Sequence, residues 1–203
     1  MKPTMLVIGD SFMSQDERHP GKHWSEMLPE YRVVNLAKGG ASLAWIVEQL
    51  MDGLAYNPAV VVVGLTDEAR ITFEYGSKIY SSCHAWELTS DQKLLYTMWL
   101  AVMSVKYRYI LAYSQISFIF ETLRQRNIPF VWHPGLFRSI DKDKPEAAEA
   151  NRFNFVLDQY AYCEIVQDIW QHPHVEHPIF HIDNLEWQVE FANNVRTLLT
   201  TLK

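Results

Sequence analysis

The sequence predicts an α/β protein built on a doubly wound, mostly parallel sheet. Three observations carry that expectation. Short apolar runs at residues 5–8, 60–64 and 128–133 alternate with longer segments of helical periodicity. Two of the runs, Val60-Val61-Val62-Val63 and Ile128-Pro129-Phe130-Val131-Trp132, are apolar at nearly every position, as in strands covered on both faces. The 203 residues suffice for one sizeable core and are few for two, so one domain over residues 1–203 is expected.

The elements follow in order. The first strand, 5–8, runs into Gly9-Asp10-Ser11-Phe12. The second, 32–35, opens a glycine-rich turn, Asn35-Leu36-Ala37-Lys38-Gly39-Gly40-Ala41-Ser42, that leads into a helix over 43–54. Asn57-Pro58 ends that helix and starts the third strand, 60–64. Residues from about 75 to 93 are the least regular. With a long helical stretch over about 94–126, they form an elaboration at about 75–125, of a kind that often caps a site. Asn127-Ile128-Pro129 opens the fourth strand, 128–133. Helical periodicity at 144–169, in one piece or two, precedes a weaker fifth strand at 178–182 and a last helix at 185–202.

Composition narrows the function classes. Hydrophobic residues at 48% and charged residues at 21% are a globular balance, and seven Trp, ten Tyr and ten Phe exceed what a minimal core requires, so some are expected at a pocket or interface. A net charge of -6 disfavours nucleic acid, whose binding draws on clustered Lys and Arg. The most apolar stretch, 94–120, is interrupted by Lys106, Arg108 and Gln115, so no membrane span is expected. The amino terminus enters a strand directly, without a secretory leader, and Cys83 and Cys163 are expected as reduced thiols. Together these point to a cytoplasmic protein.

In open parallel sheets the functional residues gather where the strands end. Ser11 follows the first strand, and a turn there lifts its hydroxyl to the sheet edge, although Gly-Asp-Ser also makes ordinary turns. A serine nucleophile needs a base, a group that orients the base, and donors for the developing oxyanion. After the second strand, Gly40 either presents a bare N–H to a substrate oxygen or simply makes a tight turn. After the third, in Gly64-Leu65-Thr66-Asp67-Glu68-Ala69-Arg70, Thr66 either donates its hydroxyl to an oxyanion or caps a following helix. Asp10 is expected to hold its turn through backbone hydrogen bonds. Arg70 and Arg138 either meet an anionic substrate group or stand as solvated charges. His133, at the end of the fourth strand, is expected to line the pocket.

Gly9-Asp10-Ser11, Gly40 five residues beyond Asn35, and Gly64-x-Thr66-Asp67 resemble, in order and spacing, the first three sequence blocks of the SGNH, or GDSL, hydrolases. The resemblance implies a flavodoxin-like three-layer α/β/α sandwich with a five-stranded, mostly parallel sheet. It also implies a nucleophilic serine, Ser11, with its N–H, Gly40 and the Thr66 position holding the oxyanion. Two departures stand out. The family's asparagine is Thr66 here, which keeps a donor on a shorter, branched side chain. The family's C-terminal Asp-x-x-His is absent, since Glu186 stands three residues after Asp183. Aligning the last helix places the histidine at His181, with Asp183 or Glu176 as the orienting carboxylate. The activity so implied is hydrolysis of a small-molecule or glycan ester through an acyl-enzyme, by a carboxylesterase, thioesterase or carbohydrate deacetylase. The aromatic elaboration also resembles uncharacterised bacteriophage members of the family, which would place the protein in a host cytoplasm.

Two other classes compete. His172-Pro173-His174-Val175-Glu176-His177 resembles the His-x-His-x-Asp-His metal motif of metallo-β-lactamase-like hydrolases. That family, however, carries the motif early in the chain and draws on further ligands downstream, where only His181, Asp183 and two Glu remain. The expectation is no metal and no cofactor. A non-catalytic protein of the same fold, binding a ligand or partner through the cleft, would show the same two departures.

Overall fold

A computed structural model describes residues 1–15, 20–75, 78–81, 89–135, 137, 154–165 and 185–202. Four strands form a parallel sheet: β1 (Thr4–Ile8), β2 (Arg32–Asn35), β3 (Val60–Gly64) and a later strand, Phe130–His133, in the order β2, β1, β3, Phe130–His133. Successive strand residues point to opposite faces, and here both faces are covered. Leu6, Ile8, Val61 and Val63 pack against Ile46 and Leu50 of α1 (Leu43–Gly53) and share that core with Ile116 and Phe120. Met5, Val7, Val62 and Val131 turn the other way, toward Trp24 and toward Trp187, Phe191 and Val195 of the last helix, Leu185–Thr201. The result is the three-layer α/β/α arrangement. Each such side chain taken from water contributes about 1.5–3 kcal/mol, which is why unbroken apolar strands dictate the middle layer.

The first three strands and the helices beginning at Leu43 and Leu185 match the sequence expectation closely. Ser42 sets the start of α1, its Oγ accepting the Trp45 N–H at 3.3 Å. Asn57 takes up a left-handed φ of +51° before Pro58 and β3.

Three expectations are corrected. An antiparallel hairpin, β4 (Thr72–Tyr75) with β5 (Lys78–Ser81), begins before residue 75 and runs into the stretch expected to be irregular, its β-branched and aromatic residues flanking Gly-Ser at 76–77. The single long helix is two, α2 (Ser90–Val102) and α3 (Val105–Gln125). They part at Ser104, whose Oγ accepts the Tyr107 N–H at 3.4 Å and starts α3 afresh. After α3 comes β6 (Phe130–His133), the fourth strand of the sheet. Third, the helix expected over 144–169 holds, within the described residues, only a helical turn at Phe155–Asp158 and a 3-10 turn at Ala161–Cys163. The chain then extends: Glu164 bridges Trp132 in parallel, and the Ile165 N–H donates to the Trp132 carbonyl at 2.7 Å. Docking on the outer edge of β6 overrides the local periodicity there. The fifth strand expected at 178–182 lies outside the described residues. The last helix is α4 (Leu185–Thr201). No described helix is long and apolar enough to cross a membrane.

Candidate active site

Because the sheet is parallel, the loops after β1, β2, β3 and β6 emerge at one edge. Gly9 sets the geometry there. Its φ of +149° suits glycine alone, and a Cβ would come within 2.7 Å of Met13 Cγ and 3.0 Å of the Gly64 carbonyl oxygen. Its peptide is clamped from below by Gln49 of α1: the Gly9 N–H donates to Gln49 Oε1 at 2.8 Å, and Gln49 Nε2 donates to the Gly9 carbonyl at 3.1 Å. The next five residues form one tight turn, in which the Met13 and Ser14 N–H groups both donate to the Asp10 carbonyl at 3.1 Å. Phe12 and Met13 bury their side chains in the core on the α4 side. Ser11, just before them, is left half-buried at the edge.

The glycine-rich turn after β2 lies beside it. A methyl group on Gly39 would stand 3.9 Å from Ser11 Cβ, and Gly40 adopts a φ of +76°. Asn35 binds the two loops together, its Nδ2 donating to the Met13 carbonyl at 2.7 Å and its Oδ1 accepting the Ala37 N–H at 2.9 Å.

Asp10 is fully buried and ties in the third loop. Its Oδ1 accepts the Phe12 N–H at 3.0 Å, and its Oδ2 accepts from the Thr66 hydroxyl at 3.0 Å and from Arg70 Nη1 at 2.8 Å. Burial pushes the Asp10 carboxyl above its ordinary value, and the Arg70 guanidinium with the two other donors opposes that rise.

The expected residues that are described each have a place. Thr66 caps no helix, since a hairpin follows, and its only O–H proton is committed to Asp10 rather than directed at an oxyanion. Asp67 shapes the loop, its Oδ1 accepting the Ala69 N–H at 2.7 Å. Arg70 is not a solvated charge, its side chain being 8% exposed and paired with Asp10. His133 is buried, with Nδ1 accepting the Gly135 N–H at 3.0 Å and its ring edge-on to Phe191. Cys163 is buried, its thiol pushed up to about 12 by desolvation, which leaves it unreactive. His181, Asp183, Glu176, Arg138, Cys83 and the histidines at 172, 174 and 177 lie outside the described residues. Among the described residues no cluster of three or more His, Cys, Asp or Glu is placed to hold a metal.

Gln49 is the residue that sequence reasoning missed. Its signal was present: it stands three residues after Ile46 and one before Leu50, a polar side chain on the buried stripe of α1. What these parts make is a serine hydroxyl on a rigid turn, flanked by a glycine loop. That is the setting in which a hydroxyl attacks a carbonyl and backbone N–H groups take up the charge.

No family model matches the chain, and no curated protein matches it in sequence. Solved structures do. TesA superimposes with a TM-score of 0.60 at 16% identity, over 98% of this chain and 99% of that one. The psychrotrophic esterase EstA from Pseudoalteromonas sp., in a structure inhibited by monoethylphosphonate, gives 0.54 at 11% identity over 98% of each chain. AlinE4, an SGNH-hydrolase family esterase, gives 0.50 at 16% over 100% and 98%. The fold of the described residues is therefore SGNH hydrolase-like.

Proposed function

We propose that the protein is a serine ester hydrolase in which Ser11 is the nucleophile. The observation that carries the reading is the position of Ser11: half-buried, on the turn leaving β1, beside Gly39 of the glycine-rich turn, in a chain that shares its fold with several esterases. Ser11 Oγ attacks the ester carbonyl carbon while His181 takes its proton. The oxyanion of the tetrahedral intermediate accepts from the Ser11 and Gly40 N–H groups. The intermediate collapses, the alcohol leaves with the proton held by His181, and an acyl-serine remains. Water, deprotonated by the same imidazole, releases the acid and restores Ser11. Asp183 or Glu176 orients His181.

Asp10, Thr66, Arg70 and Gln49 serve as positioning residues. They fix the turn and the loop after β3 without touching the reacting atoms. The proposed substrate is a small-molecule or glycan ester, and the proposed setting is the cytoplasm.

A panel of p-nitrophenyl acyl esters and acetylated xylo-oligosaccharides, assayed with the intact protein and with Ser11→Ala and His181→Ala, tests this. Turnover of at least one ester, lost by 10³-fold or more in both variants, is expected. A protein that turns over no ester but binds zinc stoichiometrically through residues 172–181 would replace this reading with the metal one.

A further inference from the structure

Between the start of α1 and the α2–α3 pair lies a cleft of about 280 Å³. Two links join it to Ser11. Arg70 lines it while bonded to Asp10, the residue before Ser11, and Ser42 lines it three residues after Gly39, which packs beside Ser11. Its volume falls near the low end for ligand pockets, suiting a small group and excluding a long acyl chain.

The walls mix apolar surface with an excess of donors. Arg108 of α3 enters from the elaboration, its guanidinium carbon 5.9 Å from the ring centre of Trp99, which also lines the cleft. Arg108 Nε is buried and has no hydrogen-bond partner among the described residues. Arg70 is paired with Asp10, whereas Arg108 forms no ion pair within 4 Å among the described residues and meets the Glu68 carboxyl only at longer range. Leu43 and Ala44, the first helical residues of α1, line the same space and turn the positive end of that helix toward it.

The opposing groups are Glu68, which lines the cleft, and Asp67 beside it. Burial and the Asp67 carboxylate push Glu68 up to about 7 against the pull of Arg108, so near neutrality about half of it is protonated, and that form can donate to an anion. A buried guanidinium nitrogen without an acceptor is costly to leave unmade, and a ligand oxygen removes that cost.

We propose that this cleft is the specificity pocket of the Ser11 site and receives the negatively charged end, a carboxylate or phosphate, of a short ester substrate. Arg108 is its anion-binding residue, and Trp99 is the wall on which the adjoining part of the substrate lies. The assignment rests on the ester-hydrolase reading above, and it restricts that reading to small anionic esters.

Two measurements separate the two. The first is kcat/KM for p-nitrophenyl butyrate against p-nitrophenyl hemisuccinate, in the intact protein and in Arg108→Ala and Arg108→Lys. The anionic ester is expected to be preferred, with the preference falling at least 10-fold in Arg108→Ala and less in Arg108→Lys. The second is equilibrium binding of succinate, inorganic phosphate and neutral succinamide to Ser11→Ala, with and without Arg108→Ala. Binding of an anion but not of succinamide is expected, weakened at least 10-fold by loss of Arg108, and the tighter anion identifies the headgroup. Turnover of butyrate with no preference for hemisuccinate would overturn the pocket and leave the hydrolase standing. Arg108-dependent anion binding without turnover of either ester, or of any ester in the wider panel, would overturn the hydrolase and the pocket's role in its specificity, and leave an anion-binding cleft.

Discussion

Arg70 Nη1 lies 2.8 Å from Asp10 Oδ2, and the two side chains are 8% and 1% exposed. The pair spans sixty residues of chain and locks the loop after β3 to the turn that carries Ser11. Removing one partner of a buried ion pair leaves the other charge without compensation, at a cost of about 3–5 kcal/mol. Arg70→Met is therefore expected to lower the urea unfolding free energy by that order. The double change Asp10→Asn with Arg70→Met should recover part of the loss, because Asn keeps an acceptor for the Phe12 N–H and carries no charge. A double variant no more stable than Arg70→Met would argue that the ion pair is not the brace.

Thr66 distinguishes a brace from an oxyanion donor. Its hydroxyl donates to Asp10, so Thr66→Val, which keeps the shape and removes the proton, should cost about 1–2 kcal/mol of stability. Deleting an oxyanion donor typically costs about 10²–10³ in kcat. The account predicts a fall in kcat of less than about tenfold, measured with the best ester at saturation. A loss in the hundreds with unchanged stability would make Thr66 a catalytic donor instead.

Gln49 holds the Gly9 peptide by both its N–H and its carbonyl. Gln49→Leu leaves the buried Gly9 N–H unpaired, at an expected cost of about 1–3 kcal/mol, while the carbonyl keeps the Lys38 N–H at 3.2 Å. Since that peptide aims the turn, kcat should fall while KM changes little. A rise in KM alone would place Gln49 in substrate binding.

His23 gives the protein a pH signature unrelated to catalysis. It is 1% exposed, its Nδ1 accepts the Ser25 N–H at 3.3 Å, and burial pushes its pKa from 6.5 down to about 4. Below pH 6.5 the unfolded chain takes up a proton that the native ring refuses. This contribution to stability is therefore whole above 6.5 and is lost as the pH falls toward about 4, reaching about 3 kcal/mol. Glu68, pushed the other way to about 7 from 4.5, loses stability as pH rises over an overlapping range. The readout is thus the difference between the intact protein and His23→Asn, which keeps a helix-capping acceptor and does not titrate. Unfolding free energies from pH 4 to 7.5 should diverge between the two as the pH falls; parallel curves would show that His23 takes up its proton in the native state as readily as in the unfolded chain.

How much was legible follows from the range of the interactions involved. β1 and β3 could be read almost to the residue because each is a short run buried on both faces, a local signal, while the half-exposed edge strand β2 was legible from Val33-Val34 before the glycine-rich turn. Ser42 and the helix it caps could be read for the same reason. The hairpin of β4 and β5 was passed over because each strand is only four residues long, with polar residues alternating among its apolar ones. The break at Ser104 was hidden within one continuous helical period. Ser11 and its glycine neighbours announced themselves by order and spacing. Their supports did not: Asp10 with Arg70 and Gly9 with Gln49 are polar contacts sixty and forty residues apart, which no periodicity registers. Arg108 and Glu68 look like ordinary charges until the fold sets them around one cleft.

A nucleophilic Ser11 is open to covalent capture. Intact-mass analysis and peptide mapping after exposure to a fluorophosphonate probe read it out, with Ser11→Ala and His181→Ala alongside. One phosphonate adduct per chain is expected, mapped to Ser11, absent from Ser11→Ala and strongly slowed in His181→Ala. A folded protein that remains unmodified, or one labelled equally well when Ser11 is alanine, would contradict a nucleophilic Ser11.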